Sequence, residues 1–390
     1  MNKAIYIYAA AALTLASCSS DEVIRQAERA DTISFRGVVG LNTRAVNMTQ
    51  EKLEKEGMYV TTFTTDGERL YGETPYALTG GAWVSNPPQK WGGNSQLSFF
   101  LTSPKLSEWA TDFELTADNK AQELLITISE DIFTQKDYVV AYLPNANKDE
   151  FNKPTEAHLK HLLSSVEIKA KNTNDAFVYQ VKGIRFNGVN RKASVNFLTE
   201  SARHCAIDTK SYELTYSTAV TLNGESQSLM GSAQNAILAP QPEEGTLAQR
   251  WDGSAPAFST QSYISVLVNI TSKYGAQVYP AGGGFGWVAI GLPYEWESGK
   301  KYVYTLDFSD GAGRVDPNPG NDVNPDGIDP TKPKDPALGK PILGKRVKFG
   351  IAVSPWGDGG STDVTLGDNQ IKFTVGVDAW ADQEIDTEIN

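Results

Sequence analysis

The side chains of the sequence best spaced to bind a metal are His158 and His161, with Glu156 beside them. If this segment were helical, the two histidines would share one face and could hold a metal together with the glutamate. Zinc sites need three or four ligands, and no further cluster of ligands is visible in the sequence. Two surface or strand-lining histidines are therefore the simpler interpretation.

The sequence lacks the motifs of several common enzyme classes. There is no G-x-S-x-G nucleophile elbow, no phosphate-binding P-loop and no H-E-x-x-H zinc motif. Cys205 lies next to His204, but a small buried hydrophobic residue is the expected role for this cysteine. The sequence thus predicts a protein that is not an enzyme and that needs no cofactor.

Four side chains with oxygen ligands alternate in one polar segment, namely Asp322, Asn324, Asp326 and Asp329. Their spacing is that of half a calcium-binding loop. The position at which an EF-hand carries its bidentate glutamate is Pro333, and no flanking helices are apparent. A solvated linker is the favoured interpretation, and calcium is the alternative.

The N-terminus has the features of a lipoprotein signal. Lys3 precedes an apolar run over residues 4–16, which is too short to span a bilayer. The run ends in Leu-Ala-Ser-Cys, a lipobox in which the thiol of Cys18 accepts a lipid before cleavage. Residues 1–18 are thus predicted to be a lipoprotein signal peptide, and an ordinary signal peptide with a chance cysteine is the alternative. The lipid would anchor the protein to the outer membrane.

The composition and the net charge limit the kinds of partner that the chain can bind. Its 390 residues are 40% hydrophobic and 21% charged, as in a folded protein, and the length allows two domains. The formal net charge of −12 argues against nucleic acid as a partner, because phosphate binding needs a basic surface.

Apolar residues alternate with a period of two far more often than with the helical period. Short segments of this kind, rich in β-branched and aromatic residues, predict strands at 97–101, 124–128, 138–142, 166–170, 178–186, 264–270 and 302–308. Short helices are expected at 51–56 and 154–163. Strands spaced in this way indicate an all-β protein of antiparallel sandwiches, with a boundary near residues 171–175.

The C-terminal part holds a polar linker and an internal repeat. Residues 310–341 are crowded with Pro, Gly, Asn and Asp and offer almost nothing to bury. Beyond them, 347–358 aligns with 371–382 at an offset of 24 residues. One face of each copy is apolar: Val347, Phe349, Ile351 and Val353 in the inner copy, and Ile371, Phe373, Val375 and Val377 in the outer copy.

The order of several weak motifs along the chain resembles the fimbrillins of type V pili, which are surface lipoproteins assembled into fimbriae. Besides the lipobox, the matching segments lie at 33–35, 43–45, 90–91, 97–104, 137–141, 161–166, 237–241, 296–306 and 352–356. The resemblance implies two tandem transthyretin-like antiparallel β-sandwich domains followed by a C-terminal strand or hairpin. The expected divisions are a propeptide with a removable first strand at 19–44, sandwiches at 45–172 and 173–309, the linker at 310–341, and the repeated strands at 342–390.

The resemblance also implies a mode of assembly. A trypsin-like protease would cut between Arg44 and Ala45 and release the first strand. A C-terminal strand of a neighbouring subunit would then fill the exposed groove. The expected partners are other copies of this chain or related fimbrial subunits, the protease, and a host or bacterial surface ligand. Which C-terminal copy is donated stays open, as does the position of the subunit in the filament.

A surface glycan-binding lipoprotein is the alternative function. In that case Trp83, Trp91, Trp251, Trp287 and Trp296 would form a platform on which sugars stack. Most tryptophans of a β-sandwich instead pack in the core or close its ends. An exposed row of aromatic rings would distinguish the glycan-binding protein from a filament subunit.

Overall fold

The computed structural model describes residues 32–39, 48, 50–109, 115, 124–148, 155–205, 208–241, 262–292, 294–318, 331, 334–344, 347–355, 371–372 and 386–387. These residues are mostly in β-strands. One α-helix, α1 (Gln50–Glu56), forms where a helix is predicted at 51–56. Short 3-10 helices lie at Leu106–Glu108, Ile132–Thr134 and Gly231–Ala233. No helix in this part of the chain is long and apolar enough to cross a membrane.

The strands follow the alternation that the sequence predicts. In chain order they are β1 (Ser34–Val39), β2 (Met58–Thr64), β3 (Arg69–Thr79), β4 (Ala82–Ser85), β5 (Gln96–Ser103), β6 (Leu124–Thr127), β7 (Val139–Asn147), β8 (Thr155–His161), β9 (Ser164–Lys171), β10 (Phe177–Asn190), β11 (Lys192–Asn196), β12 (Ser201–His204), β13 (Thr209–Thr221), β14 (Gln227–Ser228), β15 (Ala236–Leu238), β16 (Tyr263–Ser272), β17 (Gln277–Tyr279), β18 (Gly286–Ile290), β19 (Lys300–Asp307), β20 (Arg314–Val315), β21 (Lys348–Pro355), β22 (Ile371–Lys372) and β23 (Asp386–Thr387). Each of the seven predicted strands coincides with one of these, and the all-β fold class is confirmed.

The N-terminal strands close into a barrel in the order β1-β4-β3-β2-β5-β7-β8, with β8 returning to β1. All neighbours in this barrel are antiparallel except β1 and β8, which run parallel. The interior is filled by a single apolar cluster whose largest members are Phe35, Tyr76, Trp83, Trp91 and Phe99.

Strand β5 is apolar on both faces, and the structure shows why. Leu97, Phe99 and Leu101 belong to the cluster inside the barrel. Phe100, between them, belongs to the second and larger cluster of the chain. Because side chains alternate across a strand, β5 contributes to the two cores at once, and the outside of the barrel packs against the rest of the protein.

The larger cluster lies among three further sheets. One has the order β13-β10-β16-β18-β20, with β17 also paired to β16. The second has the order β14-β9-β19-β21, with β15 paired to β9, and the third is β12-β11-β6. The pairing of β9 with β19 is parallel, whereas the others in these sheets are antiparallel.

Two strands that precede the predicted boundary near residue 172 pair with strands that follow it. Strand β6 is hydrogen-bonded to β11, and β9 is hydrogen-bonded to β19. The chain first leaves the barrel at β6, which lies between β5 and β7 in sequence, and leaves it again at residues 162–163, between β8 and β9. The division into domains at 45–172 and 173–309 itself stays a prediction.

The prediction of a helix at 154–163 is wrong, because residues 155–161 form β8. The local sequence suits a short helix, but pairing with β1 on one side and with β7 on the other overrides this weak preference. His158 and His161 are an odd number of positions apart on a strand, so they point to opposite faces. Among the described residues, no group of three or more His, Cys, Asp or Glu is placed to hold a metal.

The segment 310–341 is not wholly a solvated linker. Residues 314–315 form β20, which pairs with β18, and Ala312, Val315 and Asp316 are fully buried. Asp335 is buried as well and accepts a hydrogen bond from the amide of Ala281 at 2.7 Å. The expectation that this segment has almost nothing to bury is therefore wrong for its described ends.

Candidate functional site

The first strand occupies a central place in the barrel. Along β1, Ser34 and Phe35 pair with Val84 and Trp83 of the antiparallel β4. On its other side, β1 pairs with the parallel β8 from Phe35–Thr155 to Val39–Leu159. Since both edges of β1 are hydrogen-bonded, the strand closes the barrel.

Phe35 of β1 and Ile33, the residue before the strand, are anchored in the barrel core. Ile33 is 1% exposed and Phe35 is 0% exposed. The Phe35 ring meets the rings of Tyr76 and Phe99 edge-to-face, with centroids 5.4 and 5.1 Å away. Burial raises the pKa of the Tyr76 hydroxyl far above its ordinary value, so the ring stays neutral. A Phe side chain buried in this way stabilises the fold by about 1.5–3 kcal/mol.

The chain is also held before and after β1. On the N-terminal side, the amide of Ile33 donates to the carbonyl of Gln89 at 2.9 Å. On the C-terminal side, the amide of Met48 donates to Asp137 Oδ2 at 2.7 Å. The same carboxylate oxygen lies 2.8 Å from His161 Nδ1, and both side chains are almost fully buried. Met48 is thus fixed to the barrel independently of β1.

Strand β8 depends on β1 for most of its pairing. Within the described residues, β8 meets β7 only at Val139–His161 and Val140–Lys160. Beyond these two pairs β8 separates from β7, and the amide of Tyr142 on β7 donates to Glu200 Oε1 at 2.7 Å instead of to β8. The same glutamate forms an ion pair with Lys160 of β8. Removing β1 would therefore leave residues 155–159 of β8 without a neighbouring strand in this part of the chain.

The two C-terminal copies are in different surroundings. The inner copy is β21, which pairs with β19 along its whole length. Val347 and Ile351 are buried in the larger core, and Phe349 and Val353 pack partly buried against it. In the outer copy, Ile371 begins β22, which pairs with β23. Phe373, Val375 and Val377 lie outside the described residues.

Several predicted site residues also lie outside the described residues. They are the lipidation candidate Cys18, the processing residues Arg44 and Ala45, and the calcium candidates Asp322, Asn324, Asp326 and Asp329. Their roles stay predictions.

Cys205 is half-buried beside the three-stranded sheet, and burial raises the pKa of its thiol. A raised pKa keeps the sulfur protonated at neutral pH, which is the unreactive form of a cysteine. The sequence predicts a buried side chain, whereas Cys205 is only half-buried.

The tryptophans do not form an exposed row. Trp83, Trp91 and Trp296 are 1% exposed and Trp287 is 6% exposed, while Trp251 lies outside the described residues. Four of the five rings proposed for a sugar-stacking platform are thus unavailable to a ligand. This removes the main support for a glycan-binding surface.

Sequence reasoning missed a buried ion pair that fixes the start of the polar segment. Arg185 Nη2 donates to Asp316 Oδ2 at 3.2 Å and to the carbonyl of Asn318 at 2.7 Å. Ser265 and Tyr263 also donate to this carboxylate. No sequence pattern links residues 185 and 316, because β10 and β20 are brought near each other only by the pairing of the strands between them, β16 and β18.

The chain is similar to one protein family and to several solved structures. A family model described as fimbrillin-like matches residues 43–324. A fimbrial protein from Bacteroides vulgatus ATCC 8482 is similar at 14% sequence identity and a TM-score of 0.50, over 71% of this chain and 95% of that one. A putative cell adhesion protein from Parabacteroides distasonis ATCC 8503 is similar at 10% identity and a TM-score of 0.48, over 85% of this chain and 98% of that one.

At these identities the structural likeness concerns the fold alone, and no curated protein matches the sequence. The family model, in contrast, spans well over half of the chain. The chain therefore belongs to the fimbrillin-like family.

Proposed function

We propose that this protein is a structural subunit of a cell-surface fimbria and that a neighbouring subunit replaces its first strand during assembly. The observation that carries the proposal is the position of β1. The strand is hydrogen-bonded on both edges, and Phe35 fills the barrel core together with Ile33, the residue before the strand.

Loss of β1 would leave an unstable subunit that can be rescued by a strand from elsewhere. Strands β4 and β8 would each expose a row of unpaired amides and carbonyls, and the pocket around Tyr76 and Phe99 would be empty. Exposed edges and apolar grooves of this kind recruit an added strand. The uncut protein is a monomer in this proposal, because β1 fills the groove.

Processing is proposed between Arg44 and Ala45, where a basic residue follows the alternating strand. Cleavage at Arg36 would leave part of β1 attached, since this residue lies within the strand. Met48, held by Asp137, would remain fixed to the barrel after the cut. A lipid on Cys18 would carry the precursor to the outer membrane, and the same cut would release the subunit from that anchor.

The test treats purified precursor with a trypsin-like protease and follows it by native gel electrophoresis and N-terminal sequencing. We expect a monomer that converts to a ladder of oligomers with a new N-terminus at Ala45. The Arg44→Ala variant should stay monomeric under the same treatment, and Arg36→Ala is its matched control. Oligomers of the uncut precursor, or a cut protein that stays monomeric, would refute the proposal.

A further inference from the structure

The sequence holds the pair Asn-Gly twice, and the structure puts the two pairs in opposite surroundings. Asn187-Gly188 lies within β10, whereas Asn223-Gly224 lies in the turn between β13 and β14. Asn187 is buried, whereas Asn223 and Gly224 are both exposed. The backbone nitrogen after an asparagine can attack the side-chain amide, and glycine has no Cβ to shield that nitrogen.

We propose that Asn223 is a site of spontaneous deamidation in the folded protein. The backbone nitrogen of Gly224 forms a bond to Cγ of Asn223, and the side-chain nitrogen leaves. The proton of the Gly224 amide passes through solvent to the leaving nitrogen, which departs as ammonia. Water then opens the cyclic succinimide at one of its two carbonyls. The products are aspartate and isoaspartate, in which the main chain runs through the former side chain.

A hydrogen bond of the turn prepares Asn223 for this reaction. Its Oδ1 accepts from the amide of Glu225 at 2.8 Å, so the side chain is folded back over the peptide of Gly224. Negative charge develops on Oδ1 when Cγ is attacked, and a donor already in place there stabilises that charge. Among the described residues, the Gly224 amide donates no hydrogen bond, so its proton is open to solvent.

The turn is held on both sides, so this arrangement persists in the folded protein. Before it, the amide of Leu222 donates to the carbonyl of Tyr179 at 2.9 Å. After it, Gln227 of β14 pairs with Ala170 of β9. The exposed Asn-Gly pair is therefore presented by a fixed turn between two strands.

Asn187 has the same neighbour but is held away from the reaction. Its Nδ2 donates to Ser265 Oγ at 2.8 Å, and its Oδ1 accepts from Ser211 Oγ at 3.1 Å. The two ends of the side-chain amide are thus fixed to β16 and β13, the strands on either side of β10. Asn187 can turn toward the nitrogen of Gly188 only when β10 opens, and core strands open rarely.

Deamidation at Asn223 would alter a corner of the molecule where chain connections cross between the two large sheets. The carbonyl of Asn223 accepts from the amide of Asn172 at 2.6 Å, which joins the β13–β14 turn to the β9–β10 connection. The amide of Thr173 donates in turn to Ser309 Oγ at 2.8 Å, in the connection from β19 to β20. In isoaspartate the carbonyl that accepts from Asn172 becomes a free carboxylate, and the main chain gains one methylene. The modification should therefore loosen this corner.

The test incubates the full chain in mildly alkaline buffer, once folded and once unfolded in urea, and follows both asparagines by mass spectrometry of proteolytic peptides. In the folded protein we expect Asn223 to convert at least about tenfold faster than Asn187, which waits for β10 to open. In urea the two should convert at similar rates, because both then have the same exposed neighbour. Conversion should rise with pH, since the attacking nitrogen must lose its proton.

Gly224→Ala is the matched variant. Its Cβ would lie 3.7 Å from Thr173 Cγ2, which is an ordinary contact, and the backbone at Gly224 is not in the left-handed region. The fold is therefore kept while the attacking nitrogen is shielded, and conversion of Asn223 should fall severalfold. Equal conversion of this variant and the wild type would overturn the proposal, as would a folded protein in which Asn223 is as slow as Asn187.

Hydrogen exchange of the Asn172 amide tests the structural consequence. The isoaspartate form, separated from the aged protein, should lose protection at this amide. The Asn223→Asp variant keeps the ordinary main chain and should retain the protection. An isoaspartate form with undiminished protection of Asn172 would show that the corner does not depend on the carbonyl of Asn223.

Discussion

The two strands β1 and β21 have similar apolar faces but differ in the number of their neighbours. β1 lies between β4 and β8 and closes the barrel. β21 lies at the end of its sheet and pairs only with β19 within the described residues. Phe35 is fully buried, whereas its counterpart Phe349 is partly buried.

This difference shows that the place of a strand, rather than its pattern, decides what its removal does. Taking away β21 would uncover one strand edge of a sheet that stays otherwise paired. Taking away β1 opens a closed barrel, uncovers two edges and deprives most of β8 of a neighbour. Only the second event would leave a groove with an unpaired strand edge on each side.

The largest expected effect compares the two phenylalanines. Phe35→Ala should lower the free energy of unfolding of the precursor by about 3–5 kcal/mol, because it empties a fully buried aromatic site. Phe349→Ala should cost about 1–2 kcal/mol, because this ring is only partly buried at a sheet edge. Urea unfolding of both variants measures the difference. Equal losses would contradict the contrast between a central and an edge strand.

A charge on each C-terminal copy separates folding from assembly. Ile351→Asp should lower the stability of the subunit by about 3 kcal/mol, because it buries a carboxylate in the larger core. Val375→Asp should leave the precursor folded and should weaken polymerisation after cleavage, because the inner copy is already paired with β19 and the outer copy is then the candidate donor. Thermal melts beside a polymerisation assay check both results.

The assignment of the two copies is reversed if the results are exchanged. That would be seen as normal polymerisation of Val375→Asp together with an Ile351→Asp variant that folds well but does not polymerise. Deletion of residues 366–390 provides a second variant for the outer copy and should also give a folded subunit that polymerises poorly.

The smallest expected effect concerns Glu200, which links β7 to β8. Glu200 accepts a hydrogen bond from the amide of Tyr142 where β8 has left β7, and it pairs with Lys160. Glu200→Gln should cost about 1 kcal/mol of precursor stability, since it weakens a charge-assisted hydrogen bond. Lys160→Gln, which affects an exposed lysine, should cost less than this.

After cleavage the same change should matter more, because β8 has then lost β1 and the Glu200 ion pair is a larger share of the contacts that remain. Hydrogen exchange of the β8 amides, measured before and after the cut in wild type and Glu200→Gln, tests this. Equal protection of residues 155–159 before and after the cut would show that β8 does not rely on β1.

The strands could be predicted because apolar and polar residues alternate within each short segment, and this pattern is visible without knowing which strands pair. Segments such as 97–101 and 264–270 alternate strongly and became β5 and β16. Long-range pairing could not be read in the same way. The segment 155–161 suits a helix locally, and only its pairing with β1, more than a hundred residues earlier, makes it a strand.

Burial of charged groups was equally hidden from sequence reasoning. Asp316 lies in a segment rich in Pro, Gly and Asp, yet it is fully buried because Arg185 reaches it from β10. The candidate site was more accessible to prediction. Ile33 and Phe35 alternate as a first strand should, and the structure places both in the barrel core.

The most direct test of the account is the N-terminal sequence of subunits from filaments purified from the cell surface. The account predicts that these subunits begin at Ala45 and contain no β1, because a strand of a neighbouring subunit takes its place in the proposed assembly. Filaments whose subunits still begin near Cys18, with β1 attached, would contradict it.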